Sequence, residues 1–226
     1  MFKYAIDMEI VATNFALLVE LPTNEASEIH KPFSRDELAE LWKHTDDLGA
    51  RVALILCYTG MRPTELTQVK ISDVDLTARY MRGGQRDVAS SWYAFDSFDK
   101  FGLSPNLVVP PLLKWPAGKN RVIPIAEKIV PLVESFYNPA NEYLLTVDGK
   151  AVLNGQNLRM SIWKKNLLLK NHLPHDGRHT CATLMDDAEI PLKIKQLILG
   201  HSAGDITSKV YTHKTIKQLI DAINKI

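Results

Sequence analysis

His175-Asp176-Gly177-Arg178-His179-Thr180 is the stretch on which the reading of this 226-residue chain turns. Two histidines at i and i+4 share one helix face, the spacing of zinc ligands, and His201 is a candidate third. Three features count against a metal. Asp176 stands where such motifs carry Glu, Gly177 weakens a helix, and Arg178 would set a cation beside the ion. No other acidic or cysteine cluster in the sequence has ligand spacing. An anion is the other guest to weigh. Arg178 lies in the first turn of one expected helix, and Arg62, after Gly60-Met61, at the start of another. Helix N-termini favour negative charge, and a guanidinium fork matches phosphate oxygens. Each arginine taken singly is more often a surface or ion-pairing residue. Tyr211, in Lys209-Val210-Tyr211-Thr212-His213, would by itself be a half-buried aromatic with a wet hydroxyl.

Working outward, Ser34-Arg35-Asp36-Glu37 forms a capping box that opens a helix to about Lys43. An apolar helix spans roughly Asp47 to Thr59, with Gly60 where a left-handed C-cap belongs. Pro63 opens a helix to Val69, because its missing N–H costs nothing at a first position. Residues 79–82 and 121–125 read as short strands. Further helices are expected at about 126–137, 155–169, 177–187, 191–199 and 206–224, with Asn154 and Pro191 marking two starts. Residues 1–22 read as a helix ended by Leu21-Pro22, followed by a polar linker to His30. The pattern is α+β, mainly α, with a small sheet or hairpin.

Composition narrows the class. With 46% hydrophobic and 23% charged residues and a mean hydropathy of −0.11, the chain is neither collagen-like nor largely disordered. Its two cysteines, Cys57 and Cys181, make a disulfide framework improbable and point to a reducing, cytoplasmic home. No apolar run reaches the ~18 residues of a membrane span, and Asp7 and Glu9 interrupt the segment a signal peptide would need. The net charge of +1 conceals an asymmetry. Residues 151–226 hold eleven Lys/Arg against six Asp/Glu, while the first 150 hold sixteen against twenty. Five of the seven histidines also fall in the last third. A basic, His-rich end can face a polyanion, or it can be a solvated lysine face.

The order of the boxes is what singles the chain out. Thr59-Gly60-Met61-Arg62-Pro63-Thr64-Glu65-Leu66 comes first, then Ala117-Gly118-Lys119-Asn120-Arg121-Val122-Ile123-Pro124-Ile125. His175-Asp176-Gly177-Arg178-His179-Thr180 and Leu199-Gly200-His201-Ser202 follow, with Tyr211 ten residues after His201. This sequence resembles the catalytic domain of the tyrosine recombinases, the phage-integrase family, over about 29–84 and 112–226. The resemblance implies that family's catalytic-domain fold and six site residues. Arg62 matches the first arginine, in a Gly-x-Arg-x-x-Glu context that includes Glu65. Lys114 falls where the family has its hairpin lysine, five residues before Lys119. His175 and Arg178 match the His-x-x-Arg box, His201 the Leu-Gly-His box, and Tyr211 the nucleophile. His179 and Thr180 are read as structural.

The implied function is site-specific recombination, in which DNA is cut and rejoined through a 3′-phosphotyrosyl intermediate. A phenol of pKa ≈ 10 costs about 4 kcal/mol to ionise at neutral pH, and the resemblance gives His175 the role of offsetting base. Arg62 and Arg178 would clamp the nonbridging oxygens, His201 would hydrogen-bond the phosphate, and Lys114 would protonate the leaving 5′-oxygen. The scheme needs no metal, no other cofactor and no ATP, because the covalent link conserves the bond energy. The implied partners are double-stranded DNA attachment sites and, in the full-length form, further copies in a tetramer on DNA. Membranes are not among them, and the fragment alone is expected to be monomeric.

Two departures from the family stand out. Residues 1–28 read as the remnant of the last helix of a core-binding domain plus linker, leaving 29–226 as the catalytic domain. An unusual insertion at about 85–111 sits inside a hairpin that is normally tight, and it brings in Trp92, Tyr93, Phe95, Phe98 and Phe101. If it displaces Lys114, the chain becomes a non-cutting, DNA-binding remnant that competes with or regulates an intact recombinase. A zinc hydrolase on His175, His179 and His201, and a relaxing topoisomerase, are the remaining alternatives. The apolar stripe of the last helix, Ile216, Leu219, Ile220, Ala222, Ile223 and Ile226, packs either on its own core or on a neighbouring subunit.

Overall fold

A computed structural model describes residues 6–10, 12–13, 30–83, 121–200 and 216–226. The helix expected over 1–22 needs correction where it is described, since only 6–7 are helical and the chain turns at Met8-Glu9, with Glu9 at φ +55°. The expectations for the rest of 1–29 and for the insertion at 85–111 lie outside these residues, as do Lys114, His201 and Tyr211.

The fold is built around one apolar rod, α2 (Leu48–Thr59), ten of whose twelve residues are buried. Asp47 caps its start, its carboxylate accepting from Ala50 N at 2.8 Å. Gly60 ends it at φ +63°, as the sequence predicts. Before it, α1 (Arg35–Lys43) opens on the expected capping box. Ser34 Oγ accepts from Glu37 N, and a Glu37 carboxylate oxygen accepts from Ser34 N at 2.7 Å. Those bonds hold the Glu37 carboxyl down at about 2; Ser34 N is the largest cause, and burial opposes it.

The long helix α6 (Asp176–Asp187) lies against α2 in the most extensive contact between elements. Gly177 makes the approach possible, since a Cβ there would stand 2.7 Å from Leu56 Cβ and 3.3 Å from Cys57 N. Cys57 and Cys181 are buried free thiols in this interface. Burial pushes the Cys181 thiol up to about 12 and that of Cys57 higher still.

Between α2 and α6 the chain forms α3 (Pro63–Leu66), then a three-stranded antiparallel sheet in the order β1 (Val74–Asp75), β2 (Tyr80–Arg82), β3 (Val122–Pro124). Its register sets Val74 opposite Met81 and Met81 opposite Ile123, all facing the core. After α4 (Val130–Glu134), a hairpin of β4 (Thr146–Val147) and β5 (Lys150–Ala151) turns at Asp148-Gly149, both at positive φ. Then come α5 (Gly155–Ser161), α6, α7 (Leu192–Leu199) and α8 (Ile216–Ile223). The stripe of α8 is buried against β3 and α7 of its own chain.

Several expected boundaries need correction. The helix expected over 155–169 ends at Ser161 and gives way to 3-10 turns at Trp163–Lys165 and Leu167–Leu169. Asn166 breaks it: its backbone is extended (ψ 122°), its side-chain oxygen accepts from Leu168 N, and its amide donates to Asp47. An Asn that bonds nearby backbone competes with the helix ladder. The helix from Pro63 stops at Leu66 rather than Val69, where the Thr67 hydroxyl bonds back to Thr64 O at 3.0 Å. The one expected over 126–137 is a 3-10 turn, Glu127–Ile129, followed by the short α4.

Candidate active site

Three chain segments far apart in sequence meet at the N-terminal half of α6. The C-terminal end of α2 presents the Gly60 carbonyl, and the C-terminal end of α7 presents that of Leu199. Helix C-termini leave carbonyls without intrahelical partners and carry the negative end of the helix dipole. Arg178 fills that gap: Nη1 donates to Gly60 O at 2.7 Å and Nη2 to Leu199 O at 2.6 Å. Arg178 as a residue is only 6% exposed. Among the described residues, two of its five N–H bonds are engaged, both by these carbonyls. Both helix ends close on left-handed glycines, Gly60 at φ +63° and Gly200 at φ +64°. A Cβ on Gly60 would stand 2.7 Å from Leu199 Cδ2. Arg178 therefore ties the segment that leads into Arg62 to the segment that leads into His201.

Arg62 follows two residues after Gly60, at the N-cap of α3, with its side chain one-third exposed. Glu65 holds it twice, accepting from the backbone N at 2.7 Å and from Nη1 at 3.1 Å. The same carboxylate accepts from Arg121 Nη2 at 2.8 Å. Burial would raise the Glu65 carboxyl, but Arg121, then Arg62, hold it below its ordinary value. Two guanidiniums thus share one carboxylate, and the third, that of Arg178, holds carbonyls instead. The crowding registers on Arg178, which burial, then the charges of Arg62 and Arg121, bring down to about 10.

His175 sits half-buried at the N-cap of α6. Burial lowers its pKa first, and the charges of His179, His30, Arg178 and Arg62 lower it further. Its imidazole is thereby biased toward the neutral, proton-accepting form. Arg62, His175 and Arg178 are therefore brought together, as their order in the sequence led us to expect.

Two members of this neighbourhood had no assigned role in the sequence reading. Arg121 was one letter of the Gly-Lys-Asn-Arg box, and only its place just before β3 hints that it turns inward. His30, read as the end of a linker, stacks on the ring of His179 at 4.9 Å and lies 5.4 Å from that of His175. Its Nδ1 is 2.8 Å from the buried Asp176 carboxylate. Nothing in its spacing signals this. Thr180 is structural as expected, accepting from Phe33 N at 2.9 Å and donating to Asp176 O. For the zinc alternative, the His175 and His179 rings are 5.5 Å apart and tilted, and among the described residues no set of His, Cys, Asp and Glu is arranged to hold a metal.

Comparison with known proteins agrees with this geometry. The chain is 27% identical over 208 residues to the tyrosine recombinase XerA of Pyrococcus horikoshii, a match covering 86% of this chain and 61% of that relative. The chain thus spans about three fifths of that relative's length. Among solved structures, the integrase from mycobacterium phage Brujita superposes with a TM-score of 0.59 at 15% identity, over 99% of this chain and 67% of the other. The Tn1549 transposon integrase in complex with circular intermediate DNA gives 0.54 at 19% identity, over 96% and 72%. These likenesses show the fold of integrase and recombinase catalytic domains. The model of the phage integrase family matches residues 31–218, and the chain belongs to that family.

Proposed function

We propose that this chain is the catalytic part of a site-specific DNA recombinase, cutting and rejoining double-stranded attachment sites through a 3′-phosphotyrosyl intermediate on Tyr211. The observation that carries the reading is the charge imbalance around Arg178. Arg62 and Arg121 share one carboxylate, Glu65, while the charge of Arg178, pressed on by both, has no carboxylate of its own among the described residues. Unbalanced buried cations are costly unless an anion completes the set, and a phosphodiester supplies that anion with oxygens suited to guanidinium forks.

In this reading the Tyr211 oxygen attacks the scissile phosphorus while His175, biased toward its neutral form, takes the phenolic proton. The new P–O(tyrosine) bond replaces the bond to the 5′-oxygen, which leaves as a hydroxyl with a proton from Lys114. Arg62 and the remaining N–H bonds of Arg178 stabilise the charge that grows on the nonbridging oxygens, and His201 bonds the same phosphate. Rejoining reverses these steps on another strand, so neither metal nor ATP enters. The reading places the protein in the cytoplasm, on DNA, as a tetramer when its remaining domains are present. Residues 1–28 belong in it to the end of a preceding DNA-binding domain. Relatives named as recombinases support cutting over mere binding.

A DNA substrate nicked beside the scissile phosphate traps the intermediate, because the short cleaved strand diffuses away. We expect a slower-migrating protein–DNA band with wild type and none with Tyr211→Phe. A band of equal intensity in that variant removes Tyr211 as nucleophile, and no band in wild type removes the reaction.

A further inference from the structure

Arg121 is nearly buried, its side chain 8% exposed. Nη2 and Nε reach the two oxygens of Glu65, at 2.8 and 3.4 Å. Nη1 donates to the carbonyl of Ile198, one of the orphan carbonyls at the end of α7. Its aliphatic stem crosses Gly200 so closely that a Cβ on that glycine would stand 2.5 Å from Arg121 Cδ. Its own carbonyl accepts from Gly83 N at 2.8 Å, so its backbone is fixed across the base of the β2–β3 connection. One side chain thus touches the carboxylate that orients Arg62 and the turn that leads into His201.

We infer that Arg121 is a positioning residue for the reaction centre. It sets the Arg62 guanidinium through Glu65, and it sets the His201 segment through the Ile198 carbonyl and the Gly200 turn. The inference rests on the proposed recombinase reading and adds to it a residue that touches no DNA. With Nε, Nη1 and Nη2 each engaged by Glu65 or Ile198, the Arg121 fork is held by the protein rather than offered to a phosphate. It instead makes Glu65 a rigid partner for Arg62. Without Arg121, Glu65 is a half-paired carboxylate free to draw Arg62 out of place. A misplacement of about 1 Å at a reaction centre costs about 100-fold in rate. Lysine is no substitute, since one ammonium cannot span a carboxylate and a carbonyl in the planar fork that guanidinium provides.

The test uses the full chain and measures single-turnover cleavage of the nicked DNA at saturating protein, DNA affinity by fluorescence anisotropy, and the thermal midpoint. Arg121→Met is expected to cleave about 100-fold more slowly, with affinity changed less than threefold, and Arg121→Lys to recover little of the rate. The double variant Glu65→Gln/Arg121→Met removes the unpaired carboxylate. Its thermal midpoint should return toward that of wild type while its cleavage stays slow. Millimolar guanidinium should restore part of the rate to Arg121→Ala and none to Tyr211→Phe. If cleavage recovers with the midpoint in the double variant, Arg121 serves stability alone and the inference is overturned. If Arg121→Met cleaves like wild type, it is overturned directly. Absence of any adduct in wild type removes instead the recombinase reading, and this inference with it.

Discussion

Arg178 concentrates the account into one side chain. It is a phosphate-ligand candidate that also holds the carbonyls of Gly60 and Leu199. Arg178→Lys keeps the charge but loses one of the two anchors, and we expect about 1–3 kcal/mol of lost stability from the orphaned carbonyl. Urea denaturation measures that loss. Cleavage should fall more, by about 10²–10³-fold, as when one preorganised donor is removed from a charged transition state. His175 makes a second prediction. Because burial and neighbouring cations lower its pKa, the neutral base persists below the ordinary histidine value of about 6.5. The acid limb of the cleavage–pH profile should therefore have its midpoint below that value. His30→Ala removes one of those charges and opens the site to water, so the limb should move up. A midpoint that stays put in the variant would detach His30 from the base. At this scale the sequence was legible for Arg62, His175 and Arg178, because each sits in a box with its own spacing. It was mute on His30, whose contact with Asp176 spans 146 positions and leaves no periodic trace.

At the scale of elements, the packing of α6 on α2 sets where Arg178 and His175 stand, and Gly177 sets that packing. Glycine inside an ordinary exposed helix gives way to alanine with a gain of about 1 kcal/mol. Here the sign should reverse. The added Cβ meets Leu56 Cβ at 2.7 Å and the Cys57 backbone at 3.3 Å, and neither can swing aside. Overpacking of this kind costs about 1–3 kcal/mol, so Gly177→Ala should lower the urea midpoint, whereas a raised midpoint would contradict the close approach. Elements with a local chemical start or stop were readable in advance: the Ser34–Glu37 box and the Gly60 stop. Others were not. Strands of two residues, β1, β4 and β5, are too short for alternation to show. The break after Ser161 depends on Asn166 finding Asp47 across the fold, a contact that periodicity cannot report.

On the scale of the whole molecule, the near-neutral mean charge hides a basic C-terminal third and a cluster in which two guanidiniums share one carboxylate. DNA affinity should therefore fall steeply with salt as counterions are released. Arg62→Ala, which deletes one phosphate contact, should reduce the slope of log K against log salt by about 1. Anisotropy titrations at several salt concentrations measure it; an unchanged slope would place Arg62 away from the backbone. The match covers 61% of the XerA relative's length.

The most direct measurement of the central claim is the identity of the amino acid joined to DNA. Wild-type protein is reacted with the nicked substrate, digested with protease and nuclease, and its peptides are sequenced by mass spectrometry. The account predicts a nucleotide 3′-phosphate on Tyr211 and on no other residue. A phosphate on a serine, a histidine or a different tyrosine, or no modified peptide at all, would contradict it.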